Sequence, residues 1–124
     1  MGYRSDIRVM FKKAGYEKFK ELYNKSDEFK LEKQVDEVIK KNNNVLLKIN
    51  DVKWYDTYEE VEHFNEKLEE ITEFGFSYRF VRIGEDNRDI EELEHIANNE
   101  CNDLPYISIV TQFEDDYILE NMEY

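Results

Sequence analysis

Residues 44–64, NVLLKINDVKWYDTYEEVEHF, join an alternating apolar segment to an acidic helix-forming segment, and they constrain the fold more than any other stretch. Val45, Leu47 and Ile49 alternate, which places them on one face of a β-strand. The Asn-Asp pair that follows interrupts the strand, because short Asx side chains bond nearby backbone groups and favour turns. The chain therefore passes here from a sheet into a helix.

That helix is predicted over residues 58–74. Thr57 and Glu60 have the spacing of a capping box before its first turn, and Gly75 is the expected end of the helix. The apolar residues recur at steps of three and four, so they form one buried stripe. The stripe consists of Tyr58, Val61, Phe64, Leu68 and Ile71.

A second stripe on the same helix is acidic. We call it the glutamate ladder, and it consists of Glu59, Glu62, Glu66, Glu69 and Glu73. Like charges at these spacings destabilise a helix by roughly 0.2–0.5 kcal/mol per pair, so packing of the apolar stripe has to offset them. The ladder is either a solvated helix face or a surface kept acidic for a basic partner.

Charge is unevenly distributed along the 124 residues. Residues 1–50 hold 12 Lys/Arg and 8 Asp/Glu, a net of +4, whereas residues 51–124 hold 5 and 22, a net of −17. Phosphate groups repel such a surface, so direct binding to nucleic acid or to an anionic membrane is disfavoured. A basic protein partner is favoured, because attraction raises its on-rate. The alternative is that the charge serves only solubility.

Apolar periodicity divides the chain into further elements. In chain order we predict a strand at 7–11, helices at 16–24 and 28–40, the strand at 45–49, the helix at 58–74, a strand at 76–83, a short helix from 89 and a strand at 107–113. This order predicts one α+β domain over residues 1–124, in which a four-stranded mixed β-sheet carries helices mainly on one face in two layers. A ferredoxin-like variant is one version of this fold. The acidic tail, residues 114–124, either docks or stays flexible.

A second group of acids lies in residues 85–94. Oxygen ligands suit a hard cation, but the spacing does not match an EF-hand loop, and acids also suit the start of a helix, where Asp89 and Glu92 have capping-box spacing. We therefore predict no metal site, and we predict that the group contributes to partner binding. The candidates are Glu85, Asp86, Asp89, Glu91 and Glu92.

No residue pattern indicates catalysis or a cofactor. Cys101 is the only cysteine, so it excludes an internal disulfide and fits a reducing compartment. His63 and His95 lie beside carboxylates, as surface histidines commonly do. The alternative is a small metal-dependent enzyme built on His95 and the acids of residues 85–95, although a zinc site needs more ligands at suitable spacing.

Trp54, Tyr55 and Tyr58 form an aromatic corner before the acidic helix. Such a corner either completes the core or forms an exposed patch, since Trp and Tyr are common interface anchors. We include Trp54 and Tyr55 among the candidate partner-binding residues.

Three segments of the chain resemble a known family. The opening MGYRSDI, the corner VKWYDTY at 52–58 and FVRIGEDNRDIE at 80–91 are similar to small phage and prophage proteins. Those proteins typically open MGYRSDV, carry VKWYDGY before an acidic helix and have a later RxGED-like segment. This chain departs from them at Ile7 and Thr57. The resemblance implies a viral or prophage origin and a bacterial cytoplasm, and it implies no catalytic residue.

The sequence thus predicts a phage accessory protein that binds a basic host protein. One version is an anti-CRISPR-like inhibitor of a defence nuclease, acting through an acidic surface that mimics nucleic acid. The alternative is a non-catalytic module that self-associates through the aromatic corner or a sheet edge, and a homo-oligomer is compatible with either version.

Overall fold

A computed structural model of the chain describes residues 3–86, 88–97, 104–105, 107, 113 and 115–122. These residues form five β-strands and four α-helices. In chain order they are β1 Ser5–Lys12, α1 Lys13–Asn24, α2 Leu31–Gln34, β2 Glu37–Lys41, β3 Asn44–Val52, α3 Glu59–Glu73, β4 Tyr78–Gly84, β5 Ile90–His95 and α4 Asp115–Asn121.

The strands form one open sheet in the order β2-β3-β1-β4-β5, and each neighbouring pair is antiparallel. The α+β class is therefore confirmed, with β1, β3 and β4 at the predicted places. The predicted four-stranded mixed sheet is wrong in its details, because the described residues contain five strands and no parallel pair. The predicted strand at 107–113 lies mostly outside the described residues.

The helix predicted over residues 28–40 is wrong, because this segment forms the short α2 and then β2. Asn42 and Asn43 have φ angles of 50° and 67°, as a two-residue type I′ hairpin turn requires. The turn folds β2 back onto β3, where Val38 pairs with Leu47. The asparagine-rich stretch therefore closes a hairpin and does not end a helix.

The short helix predicted from Asp89 is also wrong, because the segment forms β5 and pairs with β4 along its length. Arg82 and Arg79 of β4 reach across to Glu91 and Glu94 of β5. Opposite charges on adjacent strands stabilise a sheet. The arginines that favour a strand here belong to a different segment, so the local pattern does not reveal them.

The helix α3 lies within one residue of the predicted bounds at both ends, but its start is not capped as predicted. Tyr58 is its N-cap and makes no side-chain cap bond, so the predicted capping box of Thr57 and Glu60 is wrong. Gly75 has a φ of 85°, and its N–H donates to a carbonyl of the last turn at 3.1 Å. The expected role of Gly75 at the end of the helix is confirmed.

An aromatic core fills the space between one face of the sheet and the two long helices, α1 and α3. Phe19 of α1 lies 5.1 Å from Phe11 of β1 and 5.1 Å from Phe64 of α3, measured between ring centroids. Phe64 in turn lies 6.5 Å from Phe80 of β4. These contacts fix the rotation of α3 about its axis, and so decide which of its side chains point outward.

The other face of the sheet is covered by the C-terminal part of the chain. Ile118 and Met122 are fully buried there, against Met10 and Leu46 of the sheet. The two long helices thus lie on one face, as predicted, and α4 lies on the opposite face.

Candidate interaction surface

The apolar and acidic stripes of α3 lie on opposite sides of the helix. Val61, Phe64, Leu68 and Ile71 are buried, and the five side chains of the glutamate ladder are all exposed. Fourteen steps of about 1.5 Å separate the first ladder residue from the last, so the row is roughly 21 Å long. The helix therefore presents five carboxylates along one outward line.

The ladder has no ion-pair partner in the part of the chain that the structure describes. Lys67 is the only basic residue of α3, and it pairs with Glu70, outside the ladder, at 2.9 Å. Four successive like-charge pairs at roughly 0.2–0.5 kcal/mol each destabilise the helix by about 1–2 kcal/mol. The buried side of α3 has to offset this amount.

The helix dipole accounts for only part of the ladder. Glu59 and Glu62 lie in the first turn, where negative charge is favourable. Glu69 and Glu73 lie near the C-terminal end, where the dipole disfavours negative charge and the last turn has no basic residue. Helix stability therefore does not explain the acids at that end.

The aromatic corner before α3 is divided between core and surface. Trp54 is only 7% exposed and packs edge-on against Phe64 at 5.2 Å, so it completes the core and does not present its side chain to a partner. Tyr55 is half-buried and packs edge-on against Tyr58 at 5.1 Å. Of the two predicted anchors, only Tyr55 reaches the surface.

Three separate segments of the chain, MGYRSDI, VKWYDTY and FVRIGEDNRDIE, meet beside Tyr55. The backbone N–H of Tyr3 donates to the Tyr55 hydroxyl at 2.6 Å, and the Tyr3 hydroxyl donates to Asp89 at 2.8 Å. The backbone N–H of Asp86 donates to the Tyr3 hydroxyl at 3.0 Å, and that of Arg4 donates to Glu85 at 2.8 Å. Residues from the start, middle and later part of the chain thus form one hydrogen-bonded cluster.

Gly84 gives this cluster its close packing. A Cβ atom at this position would collide with the Tyr3 hydroxyl and with the Asp89 carboxylate. The absence of a side chain therefore allows the N-terminal segment to lie directly against the end of β4.

Two of the five acids predicted at residues 85–92 form ion pairs within the protein. Arg82 contacts Asp89 at 2.9 Å and Glu91 at 3.2 Å. Hydrogen bonds from Arg82 and Tyr3 hold the pKa of Asp89 below its ordinary value. Glu85, Asp86 and Glu92 are exposed, so their charges face solvent. The predicted acids thus separate into paired members and outward members.

Among the described residues, the side chains considered for metal binding do not assemble into a site. The described residues contain no group of three His, Cys, Asp or Glu side chains placed to hold a metal ion. His63 packs edge-on against Tyr23 at 4.5 Å, with its Nε2 3.2 Å from the Tyr23 carbonyl oxygen. His95 is exposed on β5, and Cys101 lies outside the described residues.

A charged cluster beneath α4 was not predicted. Arg8 donates to both carboxylate oxygens of Asp115, at 2.9 and 3.1 Å, and Lys48 lies 3.0 Å from the same carboxylate. Burial raises the pKa of Asp115, but the hydrogen bonds from Arg8 and Lys48 outweigh it, so the pKa lies below its ordinary value. The Phe113 ring lies 4.5 Å from the Arg8 guanidinium. The only sequence signal was the acidic tail itself.

Comparison of the chain with protein-family models, with curated proteins and with solved structures gives no match. Among the described residues, the helices are all too short or too polar to cross a bilayer. The geometry of the candidate interaction surface is therefore the starting point for a functional proposal.

Proposed function

We propose that this chain is a phage or prophage accessory protein that binds a basic host protein through the glutamate ladder. The partner class that fits best is a nucleic-acid-handling defence nuclease, which the chain would inhibit in the manner of an anti-CRISPR protein. The observation that carries the proposal is the row of five exposed carboxylates without an ion pair among the described residues. The phage setting rests on the three segments that resemble phage and prophage proteins.

The charge density of the ladder supports nucleic-acid mimicry. Ladder residues three or four positions apart rise about 4.5–6 Å along the helix axis. One strand of duplex DNA carries one phosphate per roughly 3.4 Å of its axis, so the two densities agree within a factor of two. Arg and Lys side chains form charge-assisted hydrogen bonds with carboxylates as they do with phosphates. A groove built for a phosphate row could therefore accept α3.

The aromatic corner extends this surface at the N-terminal end of α3. Tyr55 lies four residues before Glu59, and hydrogen bonds of Tyr3 and Arg4 hold the exposed Asp86 and Glu85 beside it. Asp89 and Glu91 pair with Arg82, and these ion pairs hold the segment after β4 in place. We propose that Tyr55 supplies contact area, because half-buried tyrosines lose little side-chain entropy on binding.

The test compares two charge-matched variants as baits in a bacterial host lysate. The ladder variant carries Glu62→Gln, Glu66→Gln and Glu69→Gln. The control variant carries Glu17→Gln, Glu28→Gln and Glu32→Gln, which are exposed acids outside α3. Both lose three negative charges, so a difference between them reports position and not net charge.

We expect a basic protein that the wild type and the control variant retain and that the ladder variant loses. Raising the salt from 0.1 M to 1 M shortens the screening length from about 10 Å to about 3 Å, so the retained protein should be released. If both variants retain the basic protein equally, or if 1 M salt does not release it, the proposed surface is contradicted.

A further inference from the structure

The strand β2 forms one end of the sheet, and among the described residues nothing pairs with its outer edge. Its closing pair with β3, Lys41 and Asn44, flanks the two-residue turn and is therefore hydrogen bonded. Along β2 from Lys41, hydrogen-bonded and non-hydrogen-bonded pairs with β3 alternate, so the N–H and C=O of Ile39 point toward β3. Val38 and Lys40 direct theirs outward. Each copy of the chain thus offers two outward N–H and two outward C=O groups.

The sequence of β2, EVIKK, is complementary to itself in the antiparallel direction. When two copies pair with Ile39 opposite Ile39, each Glu37 faces a Lys41 of the other copy, and each Val38 faces a Lys40. The outward backbone groups then meet in two hydrogen-bonded pairs, which supply four bonds. The charged pairs and the isoleucines fall at non-hydrogen-bonded positions, where side chains lie closest.

We propose that two copies of this chain associate through their β2 edges, in antiparallel register centred on Ile39. The two five-stranded sheets then join into one, and the arrangement has the two-fold symmetry that most homodimers have. Ile39 already packs against the apolar core on the second sheet face, so its contact with the other copy extends that core. On the other face of the sheet, the aliphatic part of Lys40 from the second copy covers the exposed Val38.

Charge selects this register over its neighbours. A register centred on Lys40 places like charges directly opposite each other, which is destabilising. A register centred on Val38 needs Asp36, whose N–H already bonds the Lys48 carbonyl and whose carboxylate accepts the Asn50 N–H. Lysines at a sheet edge usually oppose association. In the Ile39 register each Lys41 instead meets a carboxylate.

Sedimentation velocity over about 10 µM to about 1 mM tests the interface, which at five residues per copy is small and therefore weak. Lys41→Glu and Glu37→Lys each turn both attractive pairs into repulsive ones, so each should weaken the dimer by about tenfold or more. The swap, Glu37→Lys with Lys41→Glu, restores opposite charges and should recover the wild-type constant within about threefold.

Four further variants separate the edge from general effects of charge and folding. Val38→Pro removes an outward N–H without touching the bonds to β3, so it should abolish the dimer and keep the thermal midpoint. Glu32→Lys and Lys33→Glu on the exposed part of α2 repeat the charge changes away from the edge and should leave the dimer intact. The ladder variant should also dimerise, because α3 takes no part.

A concentration-dependent dimer that Val38→Pro abolishes and the charge swap restores supports the proposal. A chain that stays monomeric over the whole range overturns it. A dimer that persists unchanged in Val38→Pro also overturns it. The same holds if the Glu37→Lys, Lys41→Glu double variant dimerises no better than either single variant.

Discussion

The carboxylate of Asp115 holds α4 on the second face of the sheet, and Asp115→Asn tests how strongly. Asp115 faces Arg8 and Lys48, whose side chains are 5% and 15% exposed. Asparagine keeps the shape of the side chain and removes its charge. Two largely buried cations are then left facing a neutral amide, and among the described residues Lys48 keeps only its contact with Glu37 at 3.5 Å.

The magnitude follows from this burial. Removing one partner of a fully buried ion pair costs about 3–5 kcal/mol. The Asp115 side chain is 31% exposed, so solvent screening lowers the expected loss of unfolding free energy to about 2–3 kcal/mol. At about 2.1 cal/mol/K per residue, 124 residues give an unfolding entropy of about 0.26 kcal/mol/K. The thermal midpoint should therefore fall by about 8–12 °C.

Urea unfolding of wild type, Asp115→Asn, Arg8→Met and the double variant measures the coupling directly. Because the two groups share one ion pair, the double variant should lose about 1–3 kcal/mol less than the sum of the single losses. Amide hydrogen exchange in α4 should accelerate in Asp115→Asn before exchange in β1 does. A loss below about 0.5 kcal/mol, or strict additivity of the two changes, would refute the docking of α4 through this ion pair.

Further predictions concern pH, the aromatic corner, the close packing at Gly84 and the Asn42-Asn43 turn. The folded pKa of Asp115 is lowered, so its contribution to the free energy of unfolding is complete above the unfolded pKa of about 3.9 and is lost as the pH falls through the folded pKa. Acid should therefore lower the urea midpoint of the wild type more than that of Asp115→Asn. Trp54→Ala should cost about 3–5 kcal/mol of unfolding free energy and Trp54→Phe less, and equal small losses would place the indole outside the core. Gly84→Ala should displace the ends of the Tyr3 and Asp89 side chains at a cost of about 1 kcal/mol, the loss of a hydrogen bond, and should be visible as faster exchange of the Tyr3 amide. Asn43→Ala should cost about 1 kcal/mol of hairpin stability whereas Asn43→Gly should not, and matching urea midpoints for the two would contradict the left-handed turn.

Local apolar periodicity predicted the elements whose own residues decide their structure. The alternation at Val45, Leu47 and Ile49 gave β3, and the steps from Val61 to Phe64 gave the buried side of α3. These predictions are correct because, in each of these segments, the spacing of the apolar residues reflects which side of the element is buried.

The strands at the two ends of the sheet were missed for a common reason. In β2, Val38 and Ile39 fit the apolar spacing of a helix as well as that of a strand. The turn at Asn42 makes the segment a strand, and it does so through its backbone conformation. In β5, the deciding partners are the arginines of β4. Long-range pairing overrides local propensity in both strands.

The candidate surface was predicted in part. The ladder follows from helical spacing and lies outward as a row. The Tyr3 hydroxyl reaches Asp89, which is 86 positions away, and no local pattern predicts that contact. Arg8 alternates with apolar residues like an exposed strand residue, yet α4 covers it, because Ile118 of α4 is buried on that face of the sheet and Asp115 of α4 pairs with Arg8.

Displacement of DNA from the captured partner tests the central claim most directly. A fluorescently labelled duplex is bound to the partner retained from lysate, and anisotropy is followed as this chain is added. We expect the wild type and the Glu17/Glu28/Glu32 control to displace the duplex equally, whereas the Glu62/Glu66/Glu69 variant should need at least about tenfold more protein. Displacement by all three at the same concentration, or binding that leaves the duplex in place, would contradict an acidic surface that replaces nucleic acid.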